Sequence, residues 1–121
     1  MEVMTSTDFL GMPLFSRGKV RDIYEVGDRL LIISTDRISA FDVVMDQGIP
    51  GKGEVLNRLA EFWFGKTGDI VPNHFITTDI SSLPQEFQPY REKLEGRSML
   101  VKKAEPLPVE CVVRGYLAGS G

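Results

Sequence analysis

Between Lys19 and Ser34 two apolar-rich runs flank Gly27-Asp28, and this pattern constrains the chain more than any other. Val20, Ile23, Tyr24 and Val26 punctuate the first run, and Arg29-Leu30-Leu31-Ile32-Ile33-Ser34 forms the second. Two such runs joined by a turn dipeptide predict a β-hairpin, and so an antiparallel sheet. Further strands are expected around Ala40 to Met45, over Phe75 to Ile80, over Ser98 to Lys103 and over Pro108 to Arg114. Gln47 to Gly53 and Gly68 to Asn73 read as loops, and Ser81 to Gly96, broken by Pro84 and Pro89, as a helical or turn-rich connection. The clearest helix is Glu54 to Phe64. Val55, Leu56, Leu59, Phe62 and Trp63 recur there at one-face spacing, opposite Asn57, Arg58 and Glu61, so the apolar side is expected in the core and Gly65 at the stop. Strands in hairpins with one or two covering helices belong to the α+β class.

The 121 residues suffice for one domain with a modest core. Hydrophobic residues make up 42% and charged residues 26%, an ordinary soluble composition. A net charge of −3 gives no support to nucleic-acid or polybasic membrane binding. Cys111 is the single cysteine, which excludes an internal disulfide and a cysteine-based zinc site; within its apolar run it reads as a small buried hydrophobe. His74 has no partner at metal-ligand spacing and reads as a surface or loop residue. No apolar stretch is long enough to span a bilayer, and the N-terminus lacks the order of a signal peptide, so a cytoplasmic location is expected. Met1 to Gly11 reads as a loose lead-in.

Five segments concentrate polar chemistry. Gly18-Lys19-Val20-Arg21 opens the hairpin. A glycine there admits a close ligand, and two cations one residue apart share a strand face, which suits a polyphosphate as well as it suits a solvated strand start. In Lys102-Lys103 one ammonium can turn inward while the other stays in water, or both can be solvated. Asp36, Arg37, Ser39 and Asp42 crowd together just after an apolar strand. Asp36–Arg37 reads alternatively as an exposed ion pair, and Ser39 as a turn residue; no histidine is at hand for a hydrolase triad. Pro50-Gly51-Lys52-Gly53 leads into the helix, as an anion site or a plain loop. Arg114 can grip a carboxylate or phosphate two-pronged, with Gly119 and Ser120 following, or leave its strand for solvent.

Gly18 to Tyr24, Ser34 to Asp42, Ile49 to Gly53 and Leu107 to Ser120 resemble, in order, the motifs of the phosphoribosylaminoimidazole-succinocarboxamide synthase (SAICAR synthetase) family of purine biosynthesis. The resemblance runs from about Leu14 onward and covers the family's N-terminal part. It implies an N-terminal lobe like those of ATP-grasp-related and kinase-like nucleotide binders, with residues 1–13 as lead-in, 14–106 as the lobe, and 107–121 as connector and start of a second lobe. It also implies that Gly18, Lys19, Val20 and Arg21 cover the ATP phosphates, that Lys102 in preference to Lys103 reaches ATP, and that backbone groups of Glu110 and Val112 read adenine, with Val20 and Leu31 lining the slot. Asp36, Ser39, Asp42 and Lys52 would then face the substrate cleft, and Arg114 and Ser120 the imidazole nucleotide; Lys19 and Arg114 would be the catalytic cations. The implied partners are small molecules: ATP, L-aspartate and carboxyaminoimidazole ribonucleotide, with Mg2+. The metal-binding carboxylates are expected beyond Gly121, so the chain alone is expected to bind nucleotide weakly and to show little ligase activity; an exposed connector would favour a homo-oligomer. The alternative is a non-catalytic nucleotide-binding module on the same lobe. A kinase-like phosphotransferase is disfavoured, because it has no evident use for the Ser34–Asp42 and Gly51–Gly53 motifs.

Overall fold

The structure is a computed structural model that describes residues 3–41 and 43–117. Among the described residues, seven strands and two helices occur in the order β1 (Ser16–Arg17), β2 (Arg21–Val26), β3 (Arg29–Ser34), β4 (Arg37–Ala40), β5 (Val43–Gly48), α1 (Lys52–Lys66), β6 (Phe75–Thr77), α2 (Arg91–Leu94) and β7 (Ser98–Lys102), with short 3-10 turns at Asp8–Leu10, Ile80–Ser82 and Gln85–Tyr90. The hairpin expected around Gly27-Asp28 is β2–β3, paired in register from Arg21↔Ser34 to Val26↔Arg29. Gly27 adopts φ +62°, the left-handed turn conformation that glycine takes without cost. β7 adds to the far edge of β3 and β6 to β7, giving an antiparallel sheet of order β1-β2-β3-β7-β6. β4 and β5 form a separate two-stranded ribbon. The α+β class and the antiparallel sheet are therefore as expected.

Alternation along β2, β3 and β7 sorts the sheet into two faces. The first carries Tyr24, Leu31, Ile33 and Leu100, which with Leu10, Ile80, Leu83, Phe87 and Leu94 form the core. The residues covering this face come from the 80–94 connection and from the N-terminal segment, where Thr7 and Leu10 are buried and Met4, Phe9 and Met12 pack alongside. The lead-in is thus not loose: its residues close the core.

The second face carries Ile23, Leu30, Ile32, Met99 and Val101. α1 crosses it on the β7–β6 side. Phe64 stacks on Phe75 at 6.3 Å, and Phe75 pairs with Val101. Asn57 Nδ2 donates to the carbonyls of Gly96 (3.1 Å) and Ser98 (3.3 Å). Met99 and Val101 are buried, whereas Ile23, Leu30 and Ile32 on the β2–β3 side stay half-buried. That half-open apolar strip is the surface that frames the site.

Three expectations are overturned. α1 turns Gly53 and Asn57 inward and leaves Val55, Leu59, Phe62 and Trp63 more than half or about half exposed, because backbone carbonyls of Gly96 and Ser98 need the amide of Asn57. The run Pro108 to Arg114 is exposed and unpaired with any strand of the sheet, so its β-propensity finds no ladder to join. With it, Cys111 is exposed rather than buried. Smaller differences concern bounds: α1 continues through Gly65 to Lys66, and the strand expected near Ala40 is two strands bent at Phe41, a non-glycine residue at φ +51°.

These burials predict opposite responses to two leucine truncations in urea denaturation. Leu94→Ala, at 0% exposure, should cost about 2–5 kcal/mol. Leu59→Ala, at 50% exposure on the helix face that the sequence pattern assigns to the core, should cost less than about 1 kcal/mol.

Candidate functional site

Ser34, Thr35, Asp36 and Arg37 are all buried, an unusual fate for so polar a run. Burial requires partners, and each is provided for. The carboxylate of Asp36 accepts from Arg97 through both guanidinium nitrogens (3.0 and 3.3 Å), from the Met4 N–H (2.9 Å) and from the Gly53 N–H (2.8 Å). Burial alone would push this carboxyl up; Arg97 and the two amides more than offset that and hold it below its ordinary value. Gly53 is the second residue of α1, so the anion at this helix N-terminus is the protein's own. The approach is close: a Cβ on Gly53 would lie 2.1 Å from the Ser34 carbonyl oxygen.

Arg37 pairs not with its neighbour but with Asp22, at 2.8 Å. Its remaining donors reach the carbonyls of Thr5 (3.1 Å), Gly18 (3.1 Å) and Lys19 (3.2 Å). Asp22, fully buried, also accepts from Thr7 Oγ1 (2.6 Å) and Arg17 Nε (3.1 Å). Desolvation raises its pKa, but Arg37, Thr7 and Arg17 together leave it lowered. The Asp36–Arg37 exposed ion pair considered from the sequence does not form.

This polar knot draws three of the sequence motifs together. Gly18 and Arg21 close the turn between β1 and β2 through the Gly18 N–H to Arg21 carbonyl bond (2.8 Å), and Thr35 binds the Val20 carbonyl through both N–H (2.9 Å) and Oγ1 (2.6 Å). Lys19 therefore sits in the turn, not on a strand, and does not share a strand face with Arg21 as expected. Arg21 Nε approaches Ser34 Oγ at 3.4 Å. Lys52, the first residue of α1, donates Nζ to the Arg37 carbonyl at 2.9 Å, and partial burial followed by repulsion from Arg21 lowers its pKa. Lys19 and Arg21 are exposed and Val20 and Lys52 half-buried, which makes a cationic rim at one end of the half-open strip. Lys52 also lines a hollow of about 450 Å³ with Ile49, Pro50, Gly51, Glu54 and Val55. Ser39 is half-buried in β4, opposite Val44.

Other expected residues lie elsewhere. Leu31, offered for the adenine slot, is in the core at 1% exposure; its neighbours Leu30 and Ile32 face the open strip instead. Lys102 pairs with Arg29, five residues along β3 from Ser34, the partner of Arg21. At about 3.3 Å per residue it stands roughly 17 Å along the strand direction from the level of Arg21, and two strands across the sheet from it, so the two cannot grip one phosphate. Lys103 is held by Glu25 Oε2 (2.9 Å) and lies over the Phe15 ring. Glu110, Val112 and Arg114 are exposed on the segment after β7. Asp42 and Ser120 fall outside the described residues. His74 is half-buried in the loop before β6, against Phe64, and its burial lowers its pKa.

Asp22, Arg97 and the structural role of Arg37 were not singled out from the sequence. A signal for Asp22 was present: it falls in the same strand phase as Tyr24, so an inward-facing charge had to have a partner. Arg97 carried no comparable signal, because its partner is 61 residues away.

A sequence model of the SAICAR synthetase family matches residues 14–121. The chain is 60% identical over 119 residues to a phosphoribosylaminoimidazole-succinocarboxamide synthase of Syntrophotalea carbinolica, covering 98% of this chain and 40% of that protein. It is 61% identical over 120 residues to the enzyme of the same name from Geobacter sulfurreducens, covering 99% and 40%. A solved SAICAR synthase from Saccharomyces cerevisiae, complexed with SAICAR, superposes with a TM-score of 0.83 at 45% identity over 96% of this chain and 41% of that one. The chain thus spans about 40% of the length of the curated relatives it matches.

The lowered carboxyl groups fix a pH dependence. Asp22 and Asp36 titrate lower when folded than when unfolded, so below the ordinary carboxylate range the unfolded chain binds more protons. Their contribution to stability is complete above about pH 5 and is lost as pH falls through the folded values. Urea midpoints should decline slightly from pH 7 to 5, where His74 protonates more readily unfolded than folded, and drop more steeply below about pH 4 as the two carboxyl groups titrate. Asp36→Ala, which strands the buried Arg97, should cost about 3–5 kcal/mol at neutral pH and flatten that acid limb.

Proposed function

The chain belongs to the SAICAR synthetase family, and from that premise we propose that it supplies the nucleotide-binding part of a cytoplasmic, ATP-dependent ligase that joins L-aspartate to carboxyaminoimidazole ribonucleotide. The observation that carries the reading is the convergence of the Gly18–Arg21 turn, the buried Ser34–Arg37 run and the α1 N-terminus on one cationic rim beside a half-open apolar strip. An apolar bed with a few placed polar groups at one end is the common form of a nucleotide site.

ATP lies along that strip, as in a kinase-like lobe. Its triphosphate meets Lys19 and Arg21 at the turn. Its adenine rests towards Leu30 and Ile32, at the sheet end where β7 hands over to the connector bearing Glu110 and Val112. The roughly 17 Å along the strands is in keeping with an extended nucleotide, and it favours the connector end over the phosphates for Lys102. Lys52 faces the acid substrate, and Arg114 the imidazole nucleotide. Asp36 holds the frame and leaves substrate contact to Ser39, Asp42 and Ser120.

The chemistry is carboxylate activation. A carboxylate resists attack by an amine, because its charge and resonance remove its electrophilicity. Transfer of the γ-phosphoryl group to it gives an acyl phosphate and ADP. The aspartate amine then attacks the acyl carbon, the amide bond forms and phosphate leaves. The cations contribute positioning and stabilise the developing charge. Mg2+ commonly neutralises a triphosphate; among the described residues no three His, Cys, Asp or Glu side chains gather at one point, and Asp22 and Asp36 are committed to arginines.

A coupled ADP-release assay tests the reading on a family-length enzyme carrying this chain as its N-terminal part. Turnover should require aspartate, and Lys19→Ala and Arg21→Ala should each raise the ATP requirement by roughly tenfold or more, the worth of one charge-assisted hydrogen bond. ATP binding without aspartate-dependent turnover would favour a non-catalytic nucleotide-binding module.

A further inference from the structure

We propose that Arg37 is a positioning residue for anion binding by the Gly18–Arg21 turn: it holds the turn's carbonyls inward so that successive amides face outward to the ligand. The inference rests on the nucleotide reading above and assigns the device behind it.

Three consecutive carbonyls are captured from one side. Arg37 Nη2 donates to the Gly18 oxygen at 3.1 Å and Nε to the Lys19 oxygen at 3.2 Å. Thr35, two residues before it, takes the Val20 oxygen through N–H and Oγ1. No described peptide bond is cis. In a planar trans peptide the C=O of one residue and the N–H of the next point in opposite directions. The amides of Lys19, Val20 and Arg21 are therefore all directed away from Arg37 and Thr35. An extended strand would alternate them; a run on one side forms the concavity that accepts phosphate oxygens.

Arg37 is not itself placed to take the ligand. It is 8% exposed, and its fork is spent on Asp22, Thr5, Gly18 and Lys19. Its charge is balanced by Asp22 at 2.8 Å. Lysine could keep that charge but not the geometry, because a point ammonium cannot span four acceptors that a planar guanidinium reaches at once. The advantage conferred is preorganisation: the turn is ordered before the anion arrives.

The test titrates isotope-labelled chain with ATP and, separately, with inorganic tripolyphosphate. In the unsubstituted protein the amide resonances of Lys19, Val20 and Arg21 should move with either probe. Arg37→Lys should stay folded, weaken both probes by roughly tenfold or more, and speed solvent exchange of those three amides even without ligand. Leu94→Ala, destabilised through the core alone, should keep the original affinity, which separates positioning from general loss of stability. Should Arg37→Lys fail to fold, the double variant Asp22→Asn with Arg37→Gln removes both charges of the pair and takes its place. Undiminished affinity in the folded variant, or binding that moves amides elsewhere but not these, overturns the inference and leaves the nucleotide reading standing. Failure of the unsubstituted sequence to bind either probe within a family-length enzyme as well overturns both.

Discussion

The contact between Asp36 and Arg97 organises this chain. One residue follows β3 and the other precedes β7, and they meet as a buried, two-pronged pair. Burying two charges is not in itself a strong source of stability, since desolvation can cancel the attraction. What this pair supplies is geometry. The same carboxylate oxygens accept the amides of Met4 and Gly53, so the N-terminal segment and the start of α1 are fixed to the sheet by one group. Asp22 and Arg37 repeat the arrangement at the neighbouring corner, where Arg37 donates to the Thr5 carbonyl and to the β1–β2 turn and Asp22 accepts from Arg37 and Thr7. If either acid were lost, its arginine would remain buried and short of a partner.

That internal pairing of charge also decides which cations lie buried and which are exposed. The α1 N-terminus would be a natural anion site, but Asp36 already occupies the Gly53 amide there. Arg37 and Arg97 are neutralised inside the knot. Lys19 and Arg21 stand outside it on the turn, and Lys52 looks over the boundary, anchored to the Arg37 carbonyl. The buried pairs and the exposed rim are thus two sides of one structure: the first orders the backbone that presents the second.

Much of the sheet was legible because its signals are local. The β2–β3 hairpin, the β7 strand and the helix after Gly53 follow from alternation, a glycine turn and spacing within a few residues. The meeting of the Gly18, Ser34 and Gly51 motifs was legible only through resemblance, since nothing local says that Arg37 reaches back to Gly18. Alternation of its neighbours puts Lys19 on a strand, but the bonds from Arg37 and Thr35 curl the chain there. The resemblance gives Leu31 to the adenine slot and Lys102 to ATP; strand phase, shared with Ile33, turns Leu31 into the core, and register sets Lys102 at the other end of the sheet from Arg21.

The orientation of α1 shows the same ordering of forces most plainly. Hydrophobic spacing nominates Val55, Leu59, Phe62 and Trp63 for burial, yet the helix buries Gly53 and Asn57. At Gly53 the backbone lies so near the Ser34 carbonyl that any side chain would collide. At Asn57 two carbonyls beside β7 would be left without donors if the amide turned away. An unsatisfied buried carbonyl costs about as much as a lost hydrogen bond, whereas an exposed leucine forgoes only part of its transfer energy. With the Gly53 amide bonded to Asp36 and the Asn57 amide bonded to two carbonyls along one side of the helix, apolar periodicity becomes the weaker instruction. The apolar pattern states which residues can be buried; the unpaired backbone and the two acids settle which of them are.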